Sequence, residues 1–231
     1  NEAPWSAEGY TAMLPEGTHD FQARAYDPTG NNGITVATRL TVDHTGPELE
    51  LNSPIAATNA TTASFAFATS AGDFQEAGCA IKKEFADFEP APCNPDEWFT
   101  GDIPTEGNWE FVVVAKDHVN NFTSVHHDFI VDRTAPTAGF TAGPADGETV
   151  KPGEVTFNWD YEDSLPVDQT CAWDSGAAEA CDKTASRNLA AGDHRLEVVI
   201  TDQAGNETTL TRAFIVKKAT DPGPGPGPDP D

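Results

Sequence analysis

An aspartate recurs in three copies of one short motif, and its chemistry suits either a backbone cap or a cation ligand. The copies are Asp27-Pro-Thr-Gly-Asn31, Asp117-His-Val-Asn-Asn121 and Asp202-Gln-Ala-Gly-Asn206. An aspartate at the first position of a tight turn accepts backbone N–H groups, which predicts a structural cap. Oxygen ligands from aspartate and asparagine also suit Ca²⁺, which makes calcium binding the alternative.

Two further aspartates follow at the ends of repeated segments. Asp43 opens the sequence Asp43-His-Thr-Gly-Pro47, and Asp132 opens Asp132-Arg-Thr-Ala-Pro136. If turn and linker meet where two modules join, these carboxylates would add to those of the turns. The candidate calcium ligands are therefore Asp27, Asp43, Asp117, Asp132 and Asp202. No EF-hand loop occurs in the sequence, and no other cofactor is predicted.

The four cysteines form two local pairs, and each pair has the same place in its repeat. Cys79 with Cys93 and Cys171 with Cys181 are predicted to form disulfides. Such bridges are typical of an oxidising compartment. A zinc site is the weaker interpretation, because neither pair has the Cys-x-x-Cys spacing.

The aromatic pair Trp98 and Phe99 lies just before a repeated glycine. Rings at such a place complete a core or, alternatively, stack on a sugar or another ligand. No catalytic set is indicated: the sequence lacks a Gly-x-Ser-x-Gly elbow and a glycine-rich phosphate loop, and no cysteine is free to act as a nucleophile if both predicted bridges form. The chain is therefore predicted not to be an enzyme.

The elements that carry these residues are predicted to be strands. Gly17, Gly107 and Gly192 each start a copy of one segment, at steps of 90 and 85 residues, and the turn aspartate always follows ten residues later. Apolar residues after each glycine alternate with a period of two, as in a half-buried strand of an antiparallel sheet. No segment has a sustained helical period, so the chain is predicted to be all-β, with tandem antiparallel β-sandwich modules.

The repeat divides the chain into four parts. Residues 1–47 correspond to the C-terminal half of a module whose N-terminal strands are missing, whereas residues 48–136 and 137–219 are complete modules. Residues 220–231 form a tail rich in proline and glycine, which is typical of an extended linker. The linkers between modules are short and contain proline, which predicts limited bending.

The charge of the chain excludes two classes of partner. Its net charge is −25 and its isoelectric point is about 4.3, so nucleic acid and anionic lipid would be repelled. No stretch approaches the roughly 20 apolar residues that span a bilayer. The expected partners are neighbouring modules of the same chain and a cell-surface glycan or protein ligand.

These motifs together resemble a known family. The pattern is a cysteine pair, then Gly-x-His-x-Phe with a downstream Asp-x-x-Gly-Asn, then Val-Asp-x-Thr-x-Pro. It is similar to the bacterial Ig-like tandem repeats of large secreted and surface-attached proteins, over essentially residues 1–220. The cysteine half matches best at Cys171-Ala-Trp-Asp-Ser-Gly176 with Cys181. The resemblance implies Ig-like modules arranged as beads on a string, in an extracellular stalk or adhesin.

The leading functional prediction is therefore a non-enzymatic stalk or spacer of a bacterial extracellular or cell-surface protein, with adhesion as an extension of that role. The first alternative is a carbohydrate- or ligand-binding accessory module of a secreted hydrolase. The second is a fibre subunit whose incomplete first module is completed by strands of a neighbouring chain.

Overall fold

The computed structural model describes residues 11–218, except residues 34, 53 and 71, and all its regular elements are strands. Eighteen strands and no helix occur among the described residues, which confirms the all-β prediction. The predicted tail, residues 220–231, lies outside the described residues, as do residues 1–10.

The first repeat forms a two-stranded hairpin. Strands β1 (Gly17–Ala23) and β2 (Val36–Val42) pair antiparallel. One face carries an ion pair between Arg39 and Asp20, with Nε and Oδ1 2.8 Å apart. The other face carries apolar side chains that are about half exposed, including Phe21 at 45% and Leu40 at 51%.

Residues 48–136 form two facing antiparallel sheets. The strands are β3 (Leu49–Asn52), β4 (Ala57–Thr58), β5 (Thr62–Thr69), β6 (Phe74–Lys83), β7 (Ala91–Cys93), β8 (Phe99–Asp102), β9 (Gly107–Asp117) and β10 (Phe122–Val131). One sheet has the order β4-β10-β9-β6-β7 and the other β3-β5-β8. Only the short contact of β4 with β10 is parallel. We call this unit the middle module.

Residues 137–216 repeat the same architecture. The strands are β11 (Thr137–Ala142), β12 (Glu148–Val150), β13 (Gly153–Glu162), β14 (Val167–Trp173), β15 (Glu179–Ala180), β16 (Thr184–Leu189), β17 (Gly192–Asp202) and β18 (Glu207–Val216). The sheets have the orders β12-β18-β17-β14-β15 and β11-β13-β16, which match the middle module strand for strand. We call this unit the third module.

The alternating residues predicted from the sequence form the cores of both modules. In the middle module Phe111 and Val113 of β9 are fully buried and lie against Phe65 of β5. The rings of Phe65 and Phe111 stack with centroids 4.7 Å apart. In the third module Leu196 of β17 and Phe157 of β13 occupy the equivalent places. Burial of these large side chains is the main force that holds each pair of sheets together.

Both local cysteine pairs are bonded in the structure. Cys79 of β6 joins Cys93 of β7, and Cys171 of β14 joins Cys181 just after β15. Each bridge ties a short edge strand to the sheet, where few ladder hydrogen bonds would otherwise hold it. The bridge also restricts the unfolded chain, which stabilises the folded module.

One position, two residues after the repeated glycine, accepts either histidine or tryptophan for a clear physical reason. The ring nitrogen at this position bonds the carbonyl oxygen four residues earlier in every copy. The three bonds are His19 Nε2 with Pro15 O at 2.7 Å, Trp109 Nε1 with Thr105 O at 2.9 Å, and His194 Nε2 with Ala190 O at 2.8 Å. Imidazole and indole both provide the flat ring and the N–H that this bond needs.

Gly143 gives a direct test of the packing in the third module. It has φ of +118°, and a Cβ added there would lie 2.4 Å from the ring of buried Phe157. We expect Gly143→Ala to lower the free energy of unfolding by about 2 kcal/mol or more, because it adds both strain and overpacking. Hydrogen exchange of the β13 and β17 amides in increasing urea measures the change.

The matched control is Gly139→Ala in β11, where an added Cβ meets no atom within 4 Å. This variant is expected to change stability by less than about 0.5 kcal/mol. Equal effects of the two substitutions would contradict the packing described for β13.

Candidate functional site at the module junctions

The repeated aspartate caps its turn in all three copies. In the middle module Asp117 Oδ1 accepts the backbone N–H groups of Val119 and Asn121, both at 2.8 Å, and Oδ2 accepts the Asn121 side-chain amide at 2.7 Å. In the third module Asp202 accepts the backbone N–H and the side-chain amide of Asn206, both at 2.8 Å. The capping role predicted for this motif is thus present in the structure.

The first copy has the same turn in a more exposed setting. Asp27 Oδ1 accepts the backbone N–H groups of Thr29 at 3.0 Å and Asn31 at 2.8 Å, and Oδ2 accepts the Asn31 amide at 2.7 Å. The Asn31 amide is the main cause that lowers the pKa of Asp27 to about 2. The carboxylate is therefore ionised at any pH near neutrality.

Burial distinguishes the later copies from the first. Asp117 is fully buried and Asp202 is 5% exposed. Burial would raise the pKa of Asp117, but the N–H donors of Asn121 and Val119 outweigh it, so that the pKa is lowered. A buried carboxylate with several N–H partners is held in one orientation, because losing any partner would leave charge without compensation.

The asparagine of each later turn extends the bond network to the linker before its module. Asn121 Nδ2 donates to the backbone oxygen of Asp43 at 3.1 Å, and Asn206 Nδ2 donates to that of Asp132 at 2.9 Å. One amide group thus bonds both the turn aspartate and the linker. We call this set of turn aspartate, asparagine and linker carbonyl the Asp–Asn clamp.

The linkers themselves have a fixed local conformation. Asp43 Oδ1 accepts the N–H of Thr45 at 3.0 Å, and Asp132 Oδ1 accepts the N–H of Thr134 at 2.9 Å. These are Asx turns, in which the side chain orders the backbone two residues on. At the first linker Gly46 lies so close to β10 that an added Cβ would be 2.7 Å from the carbonyl carbon of Phe122.

The junction between the middle and third modules has further direct contacts. Asn59 N donates to the backbone oxygen of Ala204 at 3.1 Å, which joins a loop of one module to the capped turn of the next. The Arg133 guanidinium donates to the carbonyls of Asn59, Ala60 and Ile103. The linker is therefore bonded to the modules on both of its sides.

Four of the five carboxylates predicted from the sequence gather at these junctions, together with two that the motif analysis missed. One group is Asp43, Asp73 and Asp117; the other is Asp132, Asp163 and Asp202. In each group the candidate ligand oxygens lie within 4.8 Å of one another. Asp27 belongs to neither group. Asp73 and Asp163 lie in the loop before β6 and β14 respectively, at different distances from the cysteine that follows, so no fixed spacing in the sequence marked them.

Charge crowding is evident at the first junction. Burial, followed by the charges of Asp43 and Asp117, raises the pKa of Asp73. At the second junction the Ser164 hydroxyl donates to Asp132 Oδ2 at 2.9 Å. Three carboxylates at this separation repel one another, and a bound divalent cation would offset that repulsion.

The two residues of the predicted aromatic site have different environments in the structure. Phe99 lies in β8, is partly buried, and its ring packs on Phe111 with centroids 6.2 Å apart. This ring packs against the core and is only partly exposed. Ligand binding by Phe99 stays a prediction. Trp98 is 65% exposed.

Comparisons with known proteins show a likeness in fold alone. No protein-family model and no curated protein matches the chain. The fibronectin(III)-like modules of CbhA from Clostridium thermocellum align with 12% identity over 74% of this chain and 94% of theirs, with a TM-score of 0.52. The FN1–FN3 domains of chicken CNTN1 align with 13% identity over 89% and 78%, with a TM-score of 0.45.

A tetra-tandem repeat from the extending region of a large adhesion protein aligns with 19% identity over 88% of this chain and 57% of that one, with a TM-score of 0.30. Among these likenesses, that to the CbhA modules supports the strand topology: residues 48–216 form two tandem β-sandwich modules of the fibronectin(III)-like and Ig-like kind. The fold implied by the resemblance to Ig-like tandem repeats is thereby confirmed.

Within the described residues, no helix has the length and apolar character to cross a bilayer.

Proposed function

We propose that this chain is a structural stalk or spacer segment of an extracellular or cell-surface protein, and that it is not an enzyme. The Asp–Asn clamp is the observation that carries the proposal. Its bonds join the turn of one module to the linker before it, at two successive junctions. A binding or catalytic site needs no such repeated junction, whereas a stalk depends on it.

The clamp restricts the relative motion that modules joined by a peptide usually have. Domains joined by a peptide move relative to one another unless their interface is extensive. Here the linker carbonyls of Asp43 and Asp132 are bonded to buried turns, and the Asn59–Ala204 backbone bond adds a direct contact at the second junction. Bending would break these bonds and expose the buried carboxylate of Asp202, so the junction resists it.

The covalent and charge properties support an extracellular location. Two disulfides bridge edge strands that contain few other constraints, and such bridges persist in oxidising compartments. The net charge of −25 keeps extended, surface-rich modules soluble and apart. These properties suit a segment of a secreted or surface-attached protein.

We also propose that the two junction groups bind Ca²⁺ and thereby stiffen the stalk. The donors are carboxylate oxygens from three different segments: a linker, an adjacent loop and the capped turn. Hard oxygen donors of this kind suit Ca²⁺. A cation held by all three segments would link consecutive modules in the same place as the clamp. Asp27 would take part only if a corresponding linker preceded its turn.

A fibre subunit is the second candidate, and one observation favours it. The face of the hairpin that carries Phe21 and Leu40 is half exposed, whereas the corresponding faces of β9 and β17 are buried under β5 and β13. Strands of another chain could cover this face. The mass of the particle in solution separates this candidate from a monomeric stalk.

Small-angle X-ray scattering of the chain tests the stalk. We expect the unaltered chain to give a narrow distribution of interatomic distances, and Asn121→Ala with Asn206→Ala to broaden it, because the variant loses both clamps. Asn188→Ala, at an exposed position of β16, is the matched control and is expected to leave the curve unchanged. Identical scattering curves for all three chains would contradict the role of the clamp. A particle mass that equals that of the monomer at every concentration would exclude the fibre candidate.

Thermal unfolding with and without Ca²⁺ tests the calcium proposal. A ligand at 100 times its Kd stabilises the folded state by about 2.7 kcal/mol, so millimolar Ca²⁺ is expected to raise the Tm and chelation to reverse the rise. Asp73→Asn with Asp163→Asn should abolish the shift, whereas Asp20→Asn on the hairpin should retain it. A Tm that does not respond to Ca²⁺ would exclude the calcium sites and leave the stalk proposal standing.

A further inference from the structure

The outer face of the middle module differs from that of the other copies. Val112 of β9 occupies the place of Gln22 in the hairpin and of Glu197 in the third module. All three copies carry ion pairs on this face, such as Arg39 with Asp20, Arg195 with Glu197 and, in the middle module, Lys82 with Glu110, so the valine is what distinguishes the middle module. An apolar outer face is therefore not required by the fold.

A segment between β6 and β7 explains how Val112 is buried. Residues 84–90 cross over the outer face of the sheet, and Pro90 lies so close to Gly78 that an added Cβ would be 2.8 Å from its ring. Beneath this segment Val112 is only 2% exposed and Ala80 only 6%. The Cys79–Cys93 bridge holds the segment at its base.

The crossing segment leaves an open groove between itself and β10. The groove has a volume of about 460 Å³, and its apolar lining includes Phe88, Val112, Val114 and Phe122. Phe122 is 65% exposed and Phe88 is 39% exposed, so two rings flank an apolar floor. Leaving such rings in water costs free energy that a bound apolar side chain would recover.

The crossing segment also contains a strained backbone. Phe85 has φ of +64° and its side chain is 92% exposed. A left-handed conformation is an outlier for a bulky residue, and such strain persists where the surrounding structure imposes it, often at binding sites. The turn therefore holds an aromatic residue in solvent at a conformational cost, next to the groove.

The polar groups of the groove favour apolar side chains over a sugar. Glu110 is bonded through both oxygens, to Lys82 Nζ at 2.7 Å and to His126 Nδ1 at 2.5 Å. A glycan needs free donors and acceptors around its hydroxyls, and the principal charged group of this groove is already engaged. The floor is thus suited to apolar contacts.

The negative charge beside the groove favours an apolar partner that is also cationic. Glu84, Asp87 and Glu89 are exposed on the crossing segment, within a chain of net charge −25. We propose that this groove binds a basic amphipathic protein segment, with apolar side chains between Phe88 and Phe122 and lysine or arginine side chains toward the acidic rim. The stalk would then also be a docking site for a cationic partner protein.

Fluorescence anisotropy with a labelled synthetic peptide of alternating lysine and leucine tests the proposal on the full chain. We expect binding that weakens about tenfold or more in Phe88→Ser and in Phe122→Ser, because each loses one aromatic contact. Neither substitution changes the charge, so nonspecific attraction stays constant. Ile215→Ser removes a 40% exposed side chain on the third module and is the matched control, expected to bind as the unaltered chain does.

Several outcomes would overturn the proposal. The basic peptide could fail to bind, or all variants could bind it equally. A peptide with glutamate in place of lysine could also bind as tightly as the basic peptide. Binding of cello-oligosaccharides that is lost in Phe88→Ser would assign the groove to glycans instead. Because Phe88 and Phe122 are exposed, thermal unfolding of both variants should match that of the unaltered chain, and it verifies that the module remains folded.

Discussion

The bonds of one asparagine amide determine how consecutive modules are joined. In each complete module this amide lies between a buried turn carboxylate and a linker carbonyl, at Asn121 and at Asn206. The carboxylate needs the amide because it is buried, and the linker conformation depends on it in turn. Capping of a local turn and attachment of the preceding module are therefore the same interaction.

The sheets serve to position this interaction. Aromatic and aliphatic side chains of β9 and β17 anchor the strand that ends at Asp117 or Asp202, so the turn is rigid where the linker arrives. At the other end of the same strand, Trp109 or His194 bonds the carbonyl four residues earlier. Each module thus has its longest strand fixed at both ends, which allows the junction geometry to repeat along the chain.

Local patterns predicted most of the fold, because the strands alternate cleanly and the turn residues have well-defined preferences. The period-two positions of β9 and β17 became the cores, and the cysteines formed two local bridges. The carboxylates Asp73 and Asp163 were missed because they belong to loops that no motif marks, and only the packing of the sheets brings them to the junction.

Other features depended on contacts that are distant in sequence. Phe99 follows an exposed tryptophan, but the alternation of β8 turns its ring toward Phe111. The apolar outer face at Val112 was visible in the sequence, yet its cover by residues 84–90 was not, because a short segment without periodicity gives no signal of the direction in which it folds. Sequence periodicity therefore determines which face of a strand is apolar, but not what covers that face.

Residual dipolar couplings of the backbone amides in the middle and third modules test the central claim most directly. If the Asp–Asn clamp fixes the junction, the couplings of both modules fit one alignment tensor of common magnitude and orientation. Two tensors of different magnitude, each fitting only its own module, would show that the modules reorient independently and would contradict the account.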